Sequence, residues 1–262
     1  MPRFVGTLGI VLVLAVIALF ALSRAPIVSL GLVFPILTSA FITSSSVVVA
    51  YVSVRAYSRE RLLSMLFLGC GALVFGCTSL VAAMFLGTEG RNFTATVFAT
   101  GALLSGAFHL VCASLTYVGG SPKLGKGYQV SLWVPLASLS IVAVVVATFG
   151  GVLPPFYAAG SGATSLDEAA LAVATAAFAL SATVIFVVSH ASKSLVLFWY
   201  ALALGATAAG LLGIILSGGD LSALAMRAGW ATLYLGGVLL VASVFSAETL
   251  SGLPSGKDGK SA

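Results

Sequence analysis

Ser105, His109, Cys112 and Thr116 follow one another at spacings of four, three and four residues within an apolar stretch. A helix would carry all four on one face. Together they offer an imidazole, a thiol and two hydroxyls. Such groups can hydrogen-bond a small ligand or line a polar cavity, and the imidazole and thiol can also ligate a soft metal. His109 is the ionisable residue well inside an apolar stretch, and Thr96 and Thr100 continue a looser polar track along the same segment.

Cys70 and Cys77 lie seven residues apart on the preceding stretch and also share a face. Cys70, Cys77, His109 and Cys112 therefore form a weak metal-ligand set. Against it, a membrane cysteine more often packs as a small apolar residue, and a lone histidine more often bonds a neighbouring helix. Haem held by two histidines needs a second buried one, whereas His190 lies at the edge of a later stretch, suited to capping carbonyls. Ser105, His109, Cys112 and Thr116, with Asn92 at the head of the segment, remain the ligand or sensing candidates. No catalytic residue, metal or cofactor is assigned.

The elements that must position these residues are read from hydropathy. Of 262 residues 60% are hydrophobic and only 7% charged, with a mean hydropathy of +1.17. A soluble domain carries about 25% charged residues to cover its surface. Apolar stretches of spanning length fall at about 5–23, 28–54, 62–86, 93–117, 129–152, 168–189, 194–217 and 224–247. The expectation is an all-α integral membrane protein, an up-and-down bundle of seven or eight helices over residues 1–250. A Ser-, Gly- and Lys-rich tail at 251–262 reads as disordered and cytoplasmic.

Basic residues test the count. With eight spans and the N-terminus inside, the cytoplasmic segments hold Arg3, Arg55, Arg59, Arg61, Lys123, Lys126, Lys193, Lys257 and Lys260, nine of the twelve. Glu89, Asp167, Glu168 and Asp220 fall outside with Arg24, Arg91 and Arg227. The first stretch also fits a signal peptide cleaved near Ala-Leu-Ser-Arg-Ala at 21–25, which would leave seven helices in the same orientation. Residues 153–167 form the longest outer loop. Trp133, Trp199, Tyr200 and Trp230 read as aromatic anchors near span ends. Gly205, Ala209 and Gly213 read as a close-packing ridge, and Pro35 and Pro135 as kinks.

The deep stretches contain no Asp, Glu, Lys or Arg. That speaks against ion-coupled transport and a retinal Schiff base. The net charge of +5 is topogenic loop charge, with no basic-aromatic surface for nucleic acid. No Ser-His-Asp set, intramembrane carboxylate pair or phosphate-binding glycine loop points to an enzyme.

Two segments carry a resemblance. One runs from Asn92-Phe-Thr-Ala-Thr to Gly-Ala-Phe-His109-Leu. The other comprises Phe198-Trp-Tyr-Ala-Leu-Ala-Leu-Gly, Gly210-Leu-Leu-Gly-Ile-Ile-Leu, Gly229-Trp230 and Tyr234-Leu-Gly-Gly-Val-Leu-Leu. They resemble the multi-helix membrane input domains of prokaryotic, especially archaeal, sensor histidine kinases and PAS-containing signalling proteins. The resemblance implies a last helix that exits toward cytoplasmic output modules. This sequence departs from it by holding no phosphoacceptor or ATP-binding region, and by placing Arg227 before Trp230 rather than after it.

The reading is a stand-alone, sensor-like bundle in the cell membrane. Its partners are the lipid bilayer and a separate membrane or cytoplasmic signalling protein, with a homo-oligomer left open. A small-molecule permease or channel and an accessory subunit of a larger membrane complex are the alternatives.

Overall fold

The computed structural model describes residues 33–60, 62–85, 90–119, six positions between 140 and 148, 151–158, 162–218 and 222–251. Within them the chain forms six long helices: α1 (Val33–Glu60), α2 (Leu63–Met84), α3 (Arg91–Tyr117), α4 (Ser165–Ser192), α5 (Leu195–Ile215) and α6 (Ser222–Ser251). A two-residue hairpin, Tyr157–Ala158 with Gly162–Ala163, precedes α4, and a 3₁₀ turn at Leu216–Gly218 follows α5.

Five helices are long and apolar enough to cross a membrane: Ser39–Tyr57 within α1, then α2, α3, α4 and α5. In α6 the apolar run is the shorter Gly229–Ser243. The expected stretches 28–54, 62–86, 93–117, 168–189, 194–217 and 224–247 thus all correspond to helices. Those at 5–23 and most of 129–152, with Pro135, Trp133 and the tail from 252 onward, lie outside the described residues. Pro35 stands in the first described turn of α1.

Side-chain distribution explains why this bundle belongs in lipid. Val47, Val48, Tyr51, Val173, Leu180, Phe186, Val187 and Leu212 point outward, Val173 57% and Leu180 53% exposed. Ser39, Ser53, Ser79, Ser105, Ser181, Thr78 and Thr96 are buried. A water-soluble protein reverses that arrangement. Small interior residues let helices approach closely, and most of the hydroxyls donate to their own helix, as Thr96 does to the Asn92 carbonyl at 2.7 Å and Thr78 to Val74 at 2.7 Å.

The helices close into a ring. Each packs on its neighbours in sequence, α3 meets α4 across the long connection, and α6 returns to α1. The α1–α6 contact is the least extensive of the six. Small residues set the tight seams. At Gly101 the space a Cβ would need is taken by the Thr78 side chain. A Cβ at Gly229 would lie 2.8 Å from the Gly210 carbonyl, and one at Gly236 2.7 Å from Thr207 Oγ1. The expected ridge of Gly205, Ala209 and Gly213 is not the one that closes α5 on α6. Gly205 has only Ala182 near it, at 4.0 Å, and Ala209 is exposed. The close α5 surface is Ala203, Thr207 and Gly210, rotated toward α6.

Helix ends are fixed locally. Thr164 caps α4 by accepting from the Asp167 amide, and Ser194 caps α5 by accepting from Leu197. At the α4 terminus Lys193 takes a left-handed conformation (φ 53°), and the Ser194 amide donates to the Ser189 carbonyl at 3.1 Å. This backbone motif closes the helix there, while the His190 ring, expected to cap it, is exposed.

Candidate functional site

The face of α3 read from spacing points into the ring. Ser105 is wholly buried, His109 is 3% exposed and Cys112 2%, with Thr116 half-buried. Each polar group finds a different neighbour. Ser105 Oγ donates to the Gly71 carbonyl of α2 at 2.8 Å. His109 Nδ1 and the Tyr200 hydroxyl of α5 lie 2.7 Å apart. The Cys112 side chain is buried close to Tyr200, and Thr116 Oγ1 donates to the Cys112 carbonyl at 2.8 Å. His109, Tyr200, Cys112 and Thr116 thus cluster at the half of α3 that ends at Tyr117.

Aromatic and small residues hold the imidazole in place. Phe178 of α4 has its ring centroid 5.5 Å from that of His109, and Tyr200 lies at 5.9 Å. On the α2 side the ring lies against Gly71, where an added Cβ would come within 3.0 Å of His109 Nε2. Bonded at Nδ1, the imidazole has no protein partner at Nε2 among the described residues.

His109 also lines a cavity of about 30 Å³ at the centre of the ring. All six helices contribute to its wall, through Ile42 and Ser46, Ala72 and Phe75, His109, Phe178, Ala203, Leu204 and Thr207, and Leu233, Gly236, Gly237 and Leu240. The wall is mostly apolar, with an imidazole and the hydroxyls of Ser46 and Thr207 as its polar side chains, and carries no charged residue. That volume admits one or two waters or an occupant of a few heavy atoms. It is far below the roughly 300–1,000 Å³ of drug-sized pockets.

The remaining candidates separate from this site. Asn92 stands 17 residues before His109 on the same helix, about 25 Å away at 1.5 Å per residue. Its Oδ1 accepts from the amides of Phe156 and Tyr157 at 2.8 and 3.0 Å, so it anchors the hairpin before α4 instead of joining the cavity. Arg91 reinforces that anchor by donating to the Tyr157 hydroxyl at 3.1 Å. The set Cys70, Cys77, His109 and Cys112 is not assembled. Among the described residues no three His, Cys, Asp or Glu side chains converge to hold a metal ion. Cys70 instead packs with Tyr57 and Leu66, and Cys77 is half-buried.

Tyr200 corrects the sequence reading most. Placed there among interfacial aromatics, it is 2% exposed and completes the His109 site. Trp230 is likewise interior, its ring 5.6 Å from Phe98. The phase of α5 held the signal: Tyr200, Leu204 and Leu211 recur at four and seven residues and are all buried.

Compared with known proteins, the chain matches no family model, no curated protein and no solved structure.

Proposed function

We propose that the chain is a membrane-embedded sensor bundle that binds a small uncharged ligand in the central cavity and reports it to a separate signalling partner. The observation that carries this reading is the His109–Tyr200 hydrogen bond. It joins α3 to α5, two helices that are not neighbours in the ring. A ligand that engages the cavity-facing side of the imidazole therefore acts on a tie across the whole interior.

Magnitude sets what such a tie can do. Interhelical hydrogen bonds in membranes contribute about 0.6 kcal/mol on average and up to about 1.7 kcal/mol. A ligand shifts an equilibrium only by its unequal affinity for the two arrangements. Replacing this bond thus alters helix populations by roughly 3- to 18-fold, enough for a graded signal.

The pair lies about two turns from the ends where α3 stops and α5 starts. In the orientation favoured by the basic residues this is the cytoplasmic half, the side from which an intracellular partner would be addressed. The resemblance to sensor-kinase input domains points the same way. A permeation path has less support, because Thr43, Ser44 and Ser45 donate to the carbonyls of Ser39, Ala40 and Phe41 within α1.

The test is mild-detergent purification of the wild type and of Tyr200→Phe from native cells, with mass spectrometry of what accompanies each. A signalling protein recovered with the wild type, and in altered amount with the variant, is the expected result. A transport or respiratory complex recovered equally with both overturns the reading.

A further inference from the structure

The ring has one seam unlike the others. Five of its contacts join helices that pack intimately. Between α1 and α2, for example, Thr43 Oγ1 donates to the Gly76 carbonyl at 2.7 Å, and a Cβ on Gly76 would come within 2.6 Å of Ser46. Between α5 and α6 the Gly210–Gly229 and Thr207–Gly236 approaches are as tight. The α1–α6 contact closes the ring between the first and last described helices. No short connection ties them, so separating them stretches no covalent link.

The central cavity lies directly behind that seam, with Ile42 and Ser46 of α1 and Gly236 and Gly237 of α6 among its lining residues. What closes the seam is a stack of two rings, Phe41 on Tyr234, with centroids 4.1 Å apart. Beside it Gly237 leaves slack: an added Cβ would meet Phe41 at 3.5 Å and Ser45 Oγ at 3.6 Å, ordinary contact distances. On the side of the same stretch of α1 turned away from the cavity, the apolar Val47 and Val48 and the Tyr51 ring are exposed.

We propose that the α1–α6 seam is a lateral portal through which a small, uncharged molecule dissolved in the bilayer reaches His109. The ligand class follows from the route and the wall together. A charged or strongly hydrated solute does not cross the hydrocarbon to this seam. The cavity accepts only a few heavy atoms and is lined by the His109 imidazole, two hydroxyl-bearing residues and apolar groups. This rests on the cavity being the ligand site.

The experiment locks the seam. The double variant Ser45→Cys/Gly237→Cys of the full chain places two thiols within disulfide reach, given the 3.6 Å from the Gly237 Cβ position to Ser45 Oγ. It is reconstituted in lipid nanodiscs with isotope-labelled histidine. Only two histidines are present, so the ring signals of His109 and the exposed His190 are read separately. The probe is dissolved dioxygen, a paramagnetic molecule that concentrates in lipid.

Oxygen should relax the His109 signals in the reduced variant as in the wild type. That effect should fall several-fold when the disulfide forms and return on reduction, with His190 unchanged throughout. An oxygen effect at His109 that is the same locked and unlocked overturns the portal while leaving the cavity as a ligand site. No oxygen effect at His109 in any form overturns the portal and the cavity reading together. Where the reduced double variant does not keep the wild-type His109 signals, Gly237→Ala serves instead. Its added methyl fills the slack, and it should lower the oxygen effect in part; an unchanged effect again overturns the portal.

Discussion

The imidazole of His109 and the hydroxyl of Tyr200, 91 residues apart in sequence, meet at 2.7 Å inside the ring although α3 and α5 are not adjacent in it. The side-chain to backbone bonds between helices described above join neighbours, such as Ser105 to Gly71 and Thr43 to Gly76. The His109–Tyr200 bond therefore fixes the relative position of two walls of the cavity that α4 alone would otherwise relate. The other ring nitrogen, Nε2, lies on the Gly71 side of the imidazole.

Tyr200→Phe removes the hydroxyl and keeps the ring, so the loss isolates this bond and the contact with Cys112. The expected destabilisation is about 1 kcal/mol, within the range for membrane interhelical bonds. A cycle with His109→Ala, followed by reversible unfolding in mixed micelles, should return a coupling energy of similar size. Independent, additive effects would show that the bond contributes nothing to the fold.

Glycine positions separate contact from vacancy. At Gly101 the Thr78 side chain occupies the place a Cβ would take, whereas Gly205 has nothing closer than Ala182 at 4.0 Å. Gly101→Ala should lower stability by about 1–3 kcal/mol through overpacking, and Thr78→Gly should restore much of it. Gly205→Ala should be neutral or stabilising by up to about 1 kcal/mol, because alanine costs less helix entropy. Thermal unfolding in detergent distinguishes the two. Equal losses at both positions would contradict the described α2–α3 contact.

Much of this architecture was legible because lipid imposes a simple demand on sequence. Six apolar stretches are helices near the expected positions, five of them long and apolar enough to cross a membrane. The four-three-four spacing from Ser105 to Thr116 placed the right face of α3 inward. Partners across the bundle were not legible. Tyr200 and Trp230 share the composition of interfacial aromatics, and only the phase of the buried stripe on α5 marks Tyr200 as interior. Gly205, Ala209 and Gly213 obey the small-residue pattern as well as Ala203, Thr207 and Gly210 do. Spacing along one helix shows which residues share a face, and the neighbouring helix decides which face is used. Asn92 misled for the opposite reason. A polar side chain at a helix start suits a ligand, and its actual partner is backbone 64 and 65 residues away.

Lys193 provides a check on the α4–α5 turn. Its φ of 53° lies in the left-handed region that costs a side-chain-bearing residue about 1–2 kcal/mol, and the turn is closed by the Ser194 amide on Ser189. Lys193→Gly should raise stability by about 1 kcal/mol, and Lys193→Val should lower it by at least as much, since a β-branched chain suits this conformation worst. Unchanged stability in both variants would mean that the turn is not held in this conformation.

The hairpin before α4 rests on a single amide oxygen. Asn92 Oδ1 takes the amides of Phe156 and Tyr157, and the chain then runs back so that the Thr164 amide donates to the Phe156 carbonyl at 2.9 Å. Phe156 is buried at this junction, and Thr164 goes on to cap α4. Asn92→Ala leaves the partly buried Phe156 amide and the exposed Tyr157 amide without this acceptor, at about 1–3 kcal/mol where water does not reach. The strain falls on the loop, because α3 keeps its own helical bonds. Hydrogen exchange should therefore accelerate at Phe156, Tyr157 and Thr164 and at the first turn of α4, while the His109 ring signals stay as in the wild type. Asn92→Asp, which keeps an acceptor in place, should preserve most of the protection. A change at His109 in either variant would mean that the hairpin and the central cavity are coupled through α3.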